Sequence, residues 1–182
     1  MLARPVTSGP VARIVRSVEE PDFLSVYERY ARDVHRFALY LSGDAALAQD
    51  ITAETFARAW TVRERIRVGS IKGYLLMIAR NLYRDARRRV VEAPLAAAVD
   101  VPDLASGPEA SARARHDLQV VLRALHQLPE LDRAALLMAA VEGLPHHAIG
   151  VALGLSTAAV KVRVHRARVK LNAACGAGGN TI

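Results

Sequence analysis

Apolar residues recur at helical spacing along most of the chain. Phe23, Val26, Tyr27, Tyr30, Val34, Phe37, Ala38 and Leu41 share one face of a helix opened by Pro21 and Asp22, with Asp22 placed as its N-cap. Ser42, Gly43 and Asp44 break that pattern, and Asp44 is placed to cap a second helix over residues 45–62. A charged connector over residues 63–69 leads to a third helix over 70–90, whose apolar face is Tyr74, Leu75, Ile78, Leu82 and Ala86. The period is lost over residues 91–108, where Pro94, Pro102 and Pro108 recur in an Ala- and Asp-rich stretch that reads as a linker. Four more helices are predicted beyond it, over 109–127, 130–141, 145–153 and 157–173. Leu128-Pro129, Glu142-Gly143-Leu144 and Gly154-Leu155-Ser156 separate them, with Ser156 as the last N-cap. The expectation is an all-α protein of two small helical domains, 21–90 and 109–173, on a flexible linker at 91–108. A disordered lead over 1–20 and a disordered tail over 174–182 flank them.

Composition sharpens this picture. Of the 182 residues 52% are hydrophobic but only 5% aromatic, and the apolar set is mostly Ala, Leu and Val, which suits helices. The formal net charge of +7 points to a polyanionic partner, either nucleic acid or an acidic membrane surface. Arg4, Arg13, Arg16, Pro5 and Pro10 interrupt the N-terminus, so no secretory signal is read there. Residues 143–160 lack Asp, Glu, Lys and Arg, but Pro145, His146, His147 and three glycines fit a turn-broken segment rather than a membrane span. A cytoplasmic protein without membrane insertion is expected. Cys175 is the only cysteine, so no internal disulfide can form, and it reads as a bystander near the C-terminus or a redox switch.

Little suggests catalysis. His146 and His147 are adjacent and point apart on a helix, and the other histidines are scattered. There is no Gly-rich phosphate loop and no nucleophile elbow, and the acids are spread at helical spacing. No metal, no cofactor and no enzymatic activity are expected. Met77, Met138 and Trp60 read as core.

Three constellations remain. The first, residues 144–171, combines a short helix, a turn at Gly154 and a basic helix: a helix-turn-helix. Val160, Val164, Ala167 and Leu171 form its packed stripe, while Lys161, Arg163, His165, Arg166, Arg168 and Lys170 carry donors for phosphates and base edges. The second is the row Arg80, Arg84 and Arg87, extended by Arg88 and Arg89, with Asn81 beside it. Such a row suits a phosphate backbone, and a solvated basic face is the plainer reading. The third is Asp50, Glu54 and Arg58, which share a face with Leu47 and Ile51, roughly opposite Ala53, Phe56 and Trp60. The mixed acidic and apolar stripe fits a basic partner protein, or else Arg58 merely balances Glu54 above a core helix.

Taken together these residues resemble a known family. The run from Asp50 through Glu54 and Phe56 to Trp60, the run Tyr74 to Leu82, and Arg87 to Arg89 look like the second conserved region of bacterial sigma factors. Leu128-Pro129, Glu142 to Leu144, Leu153 to Ser156 and Val160 to Arg168 look like the fourth, and the short linker between them is similar to the extracytoplasmic-function (ECF) group. The resemblance implies a promoter-recognition subunit of RNA polymerase. It assigns Leu47, Asp50, Ile51, Glu54 and Arg58 to docking on core polymerase. It assigns Arg65, Ile66 and Arg67 in the connector, with Arg80, Asn81, Arg84, Arg87 and Arg88, to the −10 element and its unpaired strand. Ser156, Thr157, Lys161, Val162, Arg163, His165, Arg166 and Arg168 fall to the duplex −35 element, with Arg163 and Arg168 nearer the phosphates. An anti-sigma partner is also implied. Tyr74 stands where Trp is usual, Ala148 where Glu is common and Gly150 where Ala is usual. Val162 replaces a small polar residue and suits a thymine methyl. The competing reading is a stand-alone helix-turn-helix regulator, which needs no polymerase-docking face.

Overall fold

The computed structural model describes residues 23–61, 71–92 and 112–178. Seven helices form among them: α1 (Phe23–Ser42), α2 (Ala45–Thr61), α3 (Ile71–Glu92), α4 (Ala112–His126), α5 (Glu130–Ala140), α6 (His146–Leu153) and α7 (Thr157–Gly178). No strand occurs among the described residues.

Local chemistry sets the helix ends. Asp44 caps α2 by accepting the Leu47 N–H at 2.9 Å, and Ser156 caps α7 by accepting the Ala159 N–H at 3.1 Å. Asp22 lies outside the described residues. Gly43, at φ 73°, closes α1 by donating its N–H to the Leu39 carbonyl at 2.8 Å. The predicted tail is shorter than expected. The strong helix formers Ala173 and Ala174 carry α7 on to Gly178, so Cys175 sits on the helix. At the other boundary, α3 runs to Glu92.

α1, α2 and α3 pack on one another, and α5, α6 and α7 form a second group with α4 against α7. The two groups also touch, α1 on α5 and α3 on α6, and their buried apolar residues form one connected cluster. Phe37, Leu41, Leu75 and Leu76 anchor it in the N-terminal half, and Met138, Ile149 and Val160 in the C-terminal half. Two residues expected in the core lie elsewhere. Trp60 is 47% exposed, held edge-on to Phe23 at 4.8 Å, and Ala53 faces out. The α2 face that packs inward is Ala48, Ile51, Thr55, Phe56 and Ala59. Thr55 is accommodated there because its hydroxyl donates to the Ile51 carbonyl at 2.6 Å.

Gly150 is explained by the turn it faces. Gly154 at φ 67° folds the chain back, so that the Leu155 N–H donates to the Gly150 carbonyl at 2.8 Å. A Cβ at position 150 would lie 2.6 Å from the Leu155 carbonyl oxygen, which is backbone and cannot swing aside. Alanine gains about 1 kcal/mol over glycine in a helix interior, and overpacking costs about 1–3 kcal/mol. The collision wins: Gly150→Ala should lower the thermal midpoint, and a raised midpoint would show that the turn relaxes freely.

No single described helix is long and apolar enough to cross a membrane; the α6–α7 pair passes that test only as a segment bent by 99°.

Candidate nucleic-acid and partner surfaces

The 99° angle between α6 and α7 is that of a helix-turn-helix. Ile149, Ala152 and Leu153 of α6 and Val160, Val164 and Ala167 of α7 are buried, which orients the remaining faces outward. Lys161, Val162, His165, Arg166 and Arg168 are all exposed, with Ser156 and Thr157 exposed at the start of α7. The outward face thus offers charged donors around Val162, which is 47% exposed, with a second exposed valine, Val169, two turns further along. Arg163 departs from the expectation. It turns back toward α5 and donates to Asp132 at 2.7 Å, so it ties the basic helix to its own domain.

On α3 the exposed residues are Asn81, Arg84, Arg87, Arg88 and Arg89. An open cleft of about 470 Å³ is lined by Arg58, Asn81, Arg84, Asp85 and Arg88. Arg58, grouped by sequence with the acidic stripe of α2, therefore also reaches the arginine surface of α3, and it donates to Glu54 at 2.7 Å. Arg80 is not part of this open row. It is 7% exposed, and its Nε and Nη2 donate to the two carboxylate oxygens of Glu130 at 2.7 and 2.9 Å. The C-terminal half covers this stretch of α3, where Tyr83 also accepts from Arg133 at 2.9 Å. Arg65, Ile66 and Arg67 lie outside the described residues.

The α2 stripe divides as well. Asp50, Glu54 and Arg58 are exposed and Leu47 is half-buried, whereas Ile51 is 3% exposed and belongs to the core. Ile51 is therefore removed from the docking face: its side chain belongs to the buried apolar cluster.

The residues that periodicity missed join the two halves. The Glu142 carboxylate, fully buried, accepts from Arg36 Nε and Nη2 at 3.0 and 2.9 Å and pairs with Lys72 Nζ at 2.9 Å. Asp33 completes the group, 2.8 Å from Arg36 and 2.7 Å from Lys72. Burial opposes the charge on Asp33, but the hydrogen bond and charge of Lys72, with Arg36, outweigh it and hold the carboxyl below its ordinary range. Arg36 and Glu142 lie 106 positions apart; no periodic pattern reports a pairing at that distance.

Beside this network, Arg133 is 3% exposed, and burial pulls its guanidinium below its ordinary value. Its Nη1 lies 3.0 Å from His126 Nδ1, and neither Arg133 Nε nor His126 Nε2 has a hydrogen-bond partner. An always-charged donor there requires the neutral ring as acceptor. Burial, then the charges of Arg133 and Arg87, depress the His126 pKa from 6.5 to about 4. The unfolded chain thus takes up this proton more readily than the folded one. The stability tied to neutral His126 is present above pH 6.5 and is lost as pH falls toward 4. His126→Gln should flatten the decline of the thermal midpoint across that window; an identical slope in the variant would show that other groups govern it.

Two family models match the chain: Sigma-70 region 2 over residues 26–91, and Sigma-70, region 4 over residues 118–171. The ECF RNA polymerase sigma factor SigL of Mycobacterium tuberculosis (strain ATCC 25618 / H37Rv) is 33% identical over 149 residues, which cover 79% of this chain and 82% of that protein. The ECF RNA polymerase sigma factor SigE of Mycolicibacterium smegmatis is 34% identical over 158 residues, covering 83% of this chain; the chain spans 60% of that longer relative. Among solved structures, the sigma factor RpoE from Bartonella quintana, in complex with the anti-sigma factor NepR, has a TM-score of 0.70 at 26% identity. The match covers 84% of this chain and 96% of that one.

Proposed function

Because this chain belongs to the ECF group of bacterial RNA polymerase sigma factors, we propose that it binds core polymerase and carries it to promoters by reading two DNA elements with its two halves. The polymerase supplies the chemistry. The observation that carries this reading is an exposed basic face on each half: Lys161, His165, Arg166 and Arg168 around Val162 on α7, and Asn81, Arg84, Arg87 and Arg88 on α3. In this reading residues 109–173 place α7 in the −35 major groove. Residues 21–90 hold the polymerase through Asp50, Glu54 and Leu47, and meet the −10 element through α3 and the connector carrying Arg65, Ile66 and Arg67. Capturing an unpaired base lowers the cost of opening the duplex, about a few kcal/mol per flipped base. The α3 cleft, lined by Arg58, Asn81, Arg84 and Arg88 with the single acid Asp85, keeps a net positive charge that suits a backbone phosphate beside that base. Arg58 thereby moves from the docking face to the DNA face.

The likeness to RpoE, solved with NepR, supports an anti-sigma partner for this chain too. Membership of the family leaves the stand-alone regulator without support.

Run-off transcription tests the reading: core polymerase plus the purified chain should start at defined sites on a genomic promoter library, and random starts would refute it. Within that assay the two kinds of α7 contact separate. Lys161→Ala should change which −35 sequences are used, by about 1–3 kcal/mol of discrimination where the base contact is lost. Arg168→Ala should weaken binding to all sequences alike and lower the salt dependence by about one counterion. Equal effects of both variants on every sequence would contradict the division of roles.

A further inference from the structure

α7 is steadied from behind by one polar tie. Every residue of α5 from Asp132 to Met138 is buried, so α5 is the fixed member against which α6 and α7 pack. The face that α7 itself buries is shallow, made of Val160, Val164 and Ala167. Apolar packing of this kind resists separation but is non-directional, and it leaves the rotation of a helix about its own axis weakly defined. Arg163 supplies the direction. Its Nη1 donates to Asp132 Oδ1 at 2.7 Å, and Asp132 is 8% exposed, so the bond is charge-assisted and largely shielded from water. Among the described residues no other basic side chain of α7 pairs with a carboxylate. Arg163 also lies within one turn of Lys161, Val162, His165 and Arg166, all of them exposed.

We propose that Asp132 is a positioning residue for base reading: through Arg163 it fixes the rotation of α7 and so sets how sharply the exposed side chains discriminate between −35 sequences. The proposal rests on the reading of α7 as the −35 helix. Asp132, nearly buried on α5, is not placed to meet DNA and acts only through the helix it holds. Base contacts need side chains held to within about 0.5 Å of the productive geometry, which takes locked supports behind the contacting groups. Arg163, its charge matched by Asp132, releases no counterion on binding and adds little to affinity for DNA in general.

Holoenzyme assembled with each variant provides the test. The readout is the ratio of binding to a duplex carrying the −35 sequence selected in run-off transcription over duplexes with single base changes in it. Asp132→Asn should lower that ratio about fivefold or more, the scale of one well-placed base contact. Binding to unrelated DNA should be unchanged or slightly tighter, because an acid behind α7 is gone. Asp132→Glu keeps the carboxylate and should restore most of the ratio. Arg163→Ala should reproduce the loss of discrimination and leave the salt dependence where it was, in contrast to Arg168→Ala. Thermal midpoint and helix content, measured alongside, separate positioning from stability: a merely structural Asp132 would lower the midpoint and leave the ratio of the folded fraction intact. An unchanged ratio in Asp132→Asn overturns the proposal. So does a fall of about one counterion in the salt dependence of Arg163→Ala, which would make Arg163 a phosphate contact. If Lys161→Ala also leaves the ratio unchanged, the fault lies in the reading of α7; if Lys161→Ala changes it, the reading stands and the positioning role of Asp132 does not.

Discussion

Reversing both acids on the open face of α2, Asp50→Arg with Glu54→Arg, should weaken binding to core polymerase by about a hundredfold or more, the scale on which like charges are forced together at a complementary interface. The fold should survive. Both side chains are exposed, and the Glu54–Arg58 pair that is lost is a surface i,i+4 bridge, worth about 0.3–0.5 kcal/mol. Binding of labelled chain to core polymerase, alongside helix content by circular dichroism, checks this. Unchanged binding would remove α2 from the docking surface. Ile51 offers an internal contrast: because it is core, Ile51→Ala should act through stability and leave the intact fraction binding normally.

The second large effect concerns Phe37. It is fully buried in α1, which packs against α2, α3 and α5. Phe37→Ala should cost about 3–5 kcal/mol, the sum of lost burial and a cavity that the packed helices cannot close. For a chain of this length that is a fall on the order of 10 °C in the thermal midpoint. Calorimetry also reads how far the damage spreads. The apolar cluster runs through both halves, so one transition should move as a whole. Two transitions with only the earlier one displaced would mean that the halves melt independently.

Most of the helical layout was legible because it is a local property. The 3.6-residue period located every helix, and Asp44 and Ser156 announced their caps by residue type. The outward face of α7 was legible too, since Val160, Val164 and Ala167 could only be the inward one. The misplaced residues share a cause. Arg80, Arg163 and Ile51 lie on helix faces correctly inferred to exist, but which neighbour covers each face is decided by residues far along the chain. Trp60 failed for a related reason: an aromatic at a helix end can pack edge-on at the rim and remain half in water. Glu142 shows the limit best. By type it reads as a turn residue on the surface, and only the convergence of Arg36 and Lys72 from another part of the chain makes a buried carboxylate tolerable there.

The tie between Arg163 and Asp132 bears on any effort to redirect this protein to new DNA targets. A library that randomises all basic positions of α7 would also break this tie whenever position 163 changed, mixing loss of a contact to α5 with base choice. Varying Lys161, Val162, His165 and Arg166 over a fixed Arg163 confines the search to exposed side chains of α7 and leaves its tie to α5 intact.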